Sequence, residues 1–334
     1  MNKLATKLVQ RLENFGDNLV DAPTGERDDG DGVAPKTIRE SRNRRWVAIV
    51  LTAFGDESHD ERSERVFTVA SLIGRQDEWD ALEVRWRART GGWTFHAAEC
   101  ESDRGEYAAS PHPENLKLYS DLIKLIADAR FLGVAVSMDL GAFRDIFPAA
   151  DQEQPYFLCF HDVVYEMAGI AHLHIPRETV KFTFDRNFEM EYNATYLYGF
   201  MAKQKEWDLV NAIDQEISFA TRESVGIQAA DLLAREAMKH RDNQIGPTVR
   251  MPRQSIMALV RTGRFRFIYH TREDFKGWYQ QAVEMGKLSG AKMTEYRKWL
   301  EQNKLEESFS SKIKYLAVIG ELNPNSDNAL PSNQ

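Results

Sequence analysis

Only two cysteines, Cys100 and Cys159, occur in 334 residues, and neither belongs to a CxxC or Cys/His pattern. A disulfide framework and a structural zinc site are therefore not expected, and the sparse cysteine usage fits a cytoplasmic protein. Long hydrophobic runs are also missing. No stretch approaches the roughly 20 apolar residues that span a bilayer, so no membrane partner is expected. The first residues lack the unbroken apolar core of a secretory signal. No Gly-x-Ser-x-Gly, phosphate-loop or dinucleotide fingerprint is present, which removes several common enzyme classes. Nor is there an excess of positive charge, since 43 Lys and Arg stand against 51 Asp and Glu for a net charge of −8. A protein that coats nucleic acid through bulk charge is thereby excluded, and any such contact must be local.

What remains is an ordinary globular composition, 43% hydrophobic, 28% charged and 11% aromatic, in a chain long enough to bury a substantial core. Leu4, Leu8, Val9, Leu12 and Phe15 trace a short amphipathic helix. It is expected to pack on its own domain, on a second subunit or on a partner protein. Residues 21–45 form a polar linker without apolar periodicity, so residues 1–45 make an N-terminal arm. Strand signals follow at 46–55 and 66–73, joined by a charged turn at 59–65 as a hairpin.

A helix carrying Trp79, Leu82, Val84 and Trp86 leads to Trp93-Thr94-Phe95-His96, which reads as a third short strand. Pro113 opens a helix that runs to Ala129. A strand from Phe131 then ends at Asp139, a helix spans about 155–174, and a strand over 180–184 ends at Asp185. Residues 216–220 add a short strand and 225–240 a helix. Hairpin first and alternating helix and strand second predict a mixed sheet covered by helices, an α/β domain over residues 46–270. Residues 271–322 read as a helical extension and 323–334 as a disordered tail.

The chemistry concentrates on acids placed against this pattern. Asp56-Glu57-Ser58 closes the apolar run from Trp46 to Phe54, so carboxylates stand where a buried strand is expected to stop. Buried carboxylates need partners or they neutralise. Asp185 ends a later strand. In Gly226-Ile227-Gln228-Ala229-Ala230-Asp231 the small residues let a helix approach a sheet, and Asp231 shares their stripe. Asp231 is then either a ligand or a carboxylate paired to an arginine such as Arg235. Three acids on a first strand, a later strand and a following helix match the order of an RNase H-like metal site. Hard carboxylate oxygens suit Mg²⁺ or Mn²⁺.

Asp56-Glu57-Ser58, the strand-terminal Asp185, and Ser224 followed by Gln228-Ala229-Ala230-Asp231-Leu232-Leu233 together resemble the bacterial domain of unknown function 3800 family. The resemblance covers about residues 46–240. It implies an RNase H-like fold, a metal-dependent nuclease, and a setting in mobile elements or phage defence. It also implies a core of Asp56, Asp185 and Asp231, with Glu57, Ser58 and Gln228 beside it. That family often shows a lysine near the end of the strand that here ends at Asp139, which leaves Asp139 as an additional ligand or a loop acid.

Further candidates flank this core. Glu99 could supply a helix acid beside the aspartates, or merely complement a helix dipole, and His96 could assist proton transfer or touch a phosphate. Glu57, next to Asp56 in a period-two strand, is expected to face away from it. His161 reads as a satisfied histidine within an aromatic helix. His172-Leu173-His174, in a strand-like segment, lacks a third ligand nearby. Arg235, Lys239, Arg264 and Arg266 belong to a basic stretch after the Asp231 helix. Arg264-Phe265-Arg266-Phe267-Ile268-Tyr269 could hold phosphates and stack bases, or form an ordinary edge strand.

The expected activity is metal-dependent hydrolysis of DNA or RNA phosphodiesters. A non-catalytic module that binds nucleic acid or protein, and a hydrolase of a small phosphate ester, are the alternatives.

Overall fold

The computed structural model describes residues 51–148, 154–174, 178–187, 190–203 and 209–287. The expected N-terminal helix, the linker, the start of the first strand, the extension beyond residue 287 and the tail lie outside the described residues.

Strand β1 (Leu51–His59) turns back antiparallel into β2 (Val66–Arg75). One carboxylate organises the turn: Asp60 Oδ1 accepts the backbone N–H groups of Glu64 at 3.1 Å, Arg65 at 2.9 Å and Val66 at 3.0 Å. Strand β3 (Leu132–Asp139) pairs antiparallel with β2, and β4 (Val180–Asp185) lies parallel on the other flank of β1. Strand β5 (Ser218–Ala220) adds parallel to β4, and β6 (Phe265–His270) parallel to β3. The result is a mixed sheet of order β5-β4-β1-β2-β3-β6 flanked by helices. The alternating stretch around Phe265–Tyr269 thus takes the edge-strand place that its pattern allowed.

Helix α1 (Gln76–Thr90) follows β2 and is entered through a capping box in which Glu78 accepts the Arg75 N–H. It turns Trp79, Leu82 and Trp86 inward, one face of a 3.6-residue repeat, whereas Val84 is 71% exposed. Trp79 stacks on Phe131 at 4.1 Å and donates from Nε1 to the Thr52 carbonyl at 3.0 Å. Helix α2 (Ala97–Ser102) is short, and α3 (His112–Asp128) carries Pro113 in its first turn. Helices α4 (Leu140–Ile146), α5 (Gln154–His174) and α6 (Glu191–Met201) precede α7 (Val225–Ile245), α8 (Gln254–Val260) and α9 (Arg272–Lys287). Among the described residues no helix is long and apolar enough to cross a membrane.

The two faces of the sheet bury separate cores. Leu51, Ala53, Val69, Val136 and Phe182 pack under α5 with Phe157, Phe160, Val164 and Met167. Ala70, Leu72 and Ala135 pack on the other face with α1, α3 and α7. Each fully buried phenylalanine contributes about 1.5–3 kcal/mol relative to exposure. Small residues set the height of α7. A side chain on Gly226 would begin 2.4 Å from the Phe54 ring, and Ala229, Ala230 and Ala234 are fully buried beside it.

Several elements depart from the sequence expectation. Residues 93–96 form no strand, because the Phe95 N–H is taken by the Gln228 side chain rather than by a neighbouring strand. Helices α4, α6 and α8, of 7, 11 and 7 residues, were not anticipated. His172 and His174 close α5 instead of occupying a strand-like segment. Most consequential is β1, which does not stop at Asp56. Its pairing with β4 ends at Gly55 and Phe184, while its pairing with β2 continues to His59.

Candidate functional site

That unequal pairing opens the site. Gly55 and Phe184 are the last partners in the parallel pair, so Asp56 and Asp185 follow at the same level on adjacent strands, about 5 Å apart in backbone. Strand alternation turns both side chains toward α7, away from the face of Leu51, Ala53 and Phe182. Asp231 lies on the α7 face that packs on β1 and β2. The three carboxylates therefore approach one another where the parallel β1–β4 pairing ends, beside the carboxyl end of β4, the side of open α/β sheets that ordinarily binds ligands. Asp56 is 3% exposed, Asp231 6% and Asp185 8%.

Their surroundings leave the charge poorly compensated. Asp56 Oδ1 accepts the Glu57 N–H at 2.7 Å, and its Oδ2 accepts no hydrogen bond among the described residues. Burial pushes the Asp56 carboxyl well above the ordinary carboxylate range, and the charges of Asp231, Glu57 and Asp185 push it further. Asp185 is raised by burial too, against the opposing effect of Arg222, whose Nε lies 3.5 Å from Asp185 Oδ2. Asp56, Asp185 and Asp231 in turn raise the Arg222 guanidinium despite its partial burial. Arg222 thus contacts Asp185 and lies within electrostatic reach of Asp56 and Asp231.

Asp231 is held differently. Its Oδ2 accepts the Ala97 N–H at 2.8 Å and meets His96 Nδ1 at 3.0 Å, so it caps α2 while standing over the sheet. The anticipated alternative partner, Arg235, bonds to Glu101 instead. Gln228, one turn earlier on α7, accepts from Trp86 Nε1 at 2.8 Å and Phe95 N at 3.0 Å, and donates to the Arg222 carbonyl at 2.8 Å. It ties α1, the segment before α2 and the Arg222 loop to one helix.

The other candidates are placed as follows. Glu57 faces the α5 side, where Asn187 donates to its Oε1 at 3.1 Å, as its strand position implied. Ser58 shares the Asp56 face and pairs across with Thr68, which bonds to Ser137 at 2.7 Å. His96 is at the site through Asp231. The Glu99 carboxylate lies against Gly105, whose φ of +57° and missing side chain make room for it. The charges that act most on Asp56 come from Asp231, Glu57 and Asp185, and Glu99 is not among them.

Asp139 caps α4 by accepting the Ala142 N–H at 2.9 Å. It lies four residues past Ala135, the residue level with Asp56 across β2, or about 13 Å farther along the sheet. It is a capping acid on the loop side of its two readings. The basic stretch is largely committed inside the fold: Arg235 to Glu101, Arg264 to the Ala127 carbonyl and Arg266 to Glu166. Lys239 is half-buried, and burial followed by the nearby Arg235 lowers its ammonium from the usual value. His161 Nδ1 is satisfied by Asp162 at 2.9 Å, the bland role its helix suggested.

Among the described residues no group of three or more His, Cys, Asp and Glu side chains is disposed to hold a metal ion as it stands. The donor chemistry nevertheless suits a hard divalent ion, because three buried carboxylates from β1, β4 and α7 act on one another and supply hard oxygen donors. Sequence reasoning missed Arg222 and Asn187. Arg222 sits two residues before Ser224, the cap of α7, which was the only available signal. Comparison with family models, with curated proteins and with solved structures finds no match.

Proposed function

We propose that this chain is a divalent-metal-dependent nuclease of RNase H-like architecture, with Asp56, Asp185 and Asp231 holding Mg²⁺ or Mn²⁺. The observation that carries the proposal is the mutual electrostatic pressure of three buried carboxylates brought from β1, β4 and α7 to the carboxyl ends of parallel strands. A β1–β2–β3 meander followed by β4 and β5 parallel to β1 supports the architecture. So does the motif resemblance to the bacterial domain of unknown function 3800 family.

Bound there, the ion would activate water and stabilise a leaving 3′ oxygen. Asp56 and Asp185 present adjacent carboxylates from the sheet. His96 and the Ala97 N–H fix one oxygen of Asp231. Gln228 holds the Arg222 loop beside them. No side-chain nucleophile is required.

The test is cleavage of labelled DNA and RNA with Mn²⁺ or Mg²⁺ against a chelator control, in wild type, Asp56→Ala and Asp231→Ala. Divalent-dependent cleavage that both substitutions abolish is the expected result. Unchanged cleavage in either variant would sink the proposal. A non-catalytic binding module is favoured by one observation, the capping of α2 by Asp231, and predicts nucleic-acid binding without cleavage in wild type and variants alike.

A further inference from the structure

We propose that Arg222 is the resident counter-cation of the carboxylate site, held in place of a divalent ion and competing with it. The inference rests on the metal-dependent reading above and concerns how that site is regulated.

Three structural facts support it. The Arg222 guanidinium approaches Asp185 at 3.5 Å, and the charges of Asp56 and Asp231 act on it from nearby. Its backbone is anchored while its side chain stays open to solvent: the Arg222 carbonyl accepts from Gln228 Nε2 at 2.8 Å, and the side chain is 54% exposed. The contact is also loose. At 3.5 Å through Nε it is longer than the contacts that Arg235 and Arg253 make with Glu101, at 2.8 and 2.6 Å. An arginine with an anchored backbone and an exposed side chain can withdraw without unfolding its loop.

The chemistry gives the direction. Three carboxylates left bare would repel one another in a buried locus, which disfavours the metal-free fold. One monovalent cation relieves part of that repulsion. A divalent ion relieves more, and once it binds, the guanidinium is repelled from the same locus. Binding and withdrawal are then two sides of a single exchange. Released toward solvent, Arg222 would be available to an anionic substrate only when the metal is in place.

The test uses the full chain and Mn²⁺ itself, with free aqueous Mn²⁺ followed by electron paramagnetic resonance at fixed pH and ionic strength. Arg222→Gln should bind Mn²⁺ about tenfold more tightly than wild type, because a competing charge near the ion has been removed. Arg222→Lys should bind close to wild type. In chelator, Arg222→Gln should melt at a lower temperature than wild type, and saturating Mn²⁺ should close that gap. Equal or weaker Mn²⁺ binding by Arg222→Gln overturns this inference and leaves the metal reading intact. Absence of Mn²⁺ binding in wild type and variants overturns both.

Discussion

Replacing Gln228 removes three hydrogen bonds at once, and their cost can be worked from the structure. The side chain is 2% exposed and serves as the sole side-chain acceptor for two buried donors, Trp86 Nε1 and the Phe95 N–H. Leaving a buried donor without an acceptor costs about 1–3 kcal/mol. Two such donors give about 4 kcal/mol, while the partly exposed Arg222 carbonyl can turn to water. Gln228→Met keeps most of the volume and none of the polar contacts, so it isolates this term from cavity formation. With about 2–4 °C of melting temperature per kcal/mol in a unit of this size, a fall of about 10 °C is expected. Urea unfolding followed by tryptophan fluorescence measures it, with Trp86 itself a reporter. A loss below about 1 kcal/mol in Gln228→Met would refute the bracing role. The inward face of α7 would then be held by packing and by its other polar ties, Asp231 to Ala97 and Glu236 to Tyr119.

Two further perturbations test the electrostatics and the hairpin. Because burial and three like charges raise Asp56, the folded state prefers its protonated form. The site therefore favours folding below the raised pKa and costs stability as pH rises through it. Without metal, Asp56→Asn should gain about 1 kcal/mol over wild type at pH 8, and the gain should vanish toward pH 4. Denaturant unfolding across that range measures the difference, and a constant offset would contradict it. Asp60→Ala should cost about 2–4 kcal/mol, since three backbone N–H groups of the β1–β2 turn lose their acceptor. Hydrogen exchange at Arg65 and Val66 should accelerate in that variant and stay slow at the β3–β6 edge.

Continuous apolar runs made β1, β2, β3 and β4 readable, because a strand buried on both faces leaves such a run whatever covers it. Small residues around Asp231 likewise announced a helix that must lie close to a sheet, and Gly226 against Phe54 is that contact. Where one β1 flank ends was not readable. Asp56 was expected at the end of a strand, yet β1 continues to His59 along β2 and ends only toward β4. Pairing on one side but not the other is a property of the neighbours and leaves no local trace. The partner of Arg235 was hidden for a related reason. Arg235 was expected to pair with Asp231 or to contact nucleic acid, but Glu101 takes it together with Arg253, from a helix more than 130 residues earlier. Arg222 escaped notice because nothing in its own segment shows that acids from three separate elements will act on it.

The carboxylates at this site repel one another, so their meeting must be imposed by contacts that do not involve them. Strand register is the first. A slip of one residue would exchange Asp56 for Glu57 on the α7 face, and the Asp60 turn opposes that slip by holding three successive amides of the hairpin. The height of α7 is the second, set by Gly226 on Phe54 and by alanines with nothing to spare between helix and sheet. The third is the rotation of α7, which Gln228 fixes through Trp86 and Phe95, and Glu236 through Tyr119 and Ser255 at 2.7 and 2.6 Å. With register, height and rotation determined from outside, the backbones that carry Asp56, Asp185 and Asp231 are held near one another. Their repulsion shows in the raised affinity of Asp56 for a proton and in the attraction of Arg222, the two features that the proposed divalent cation would displace.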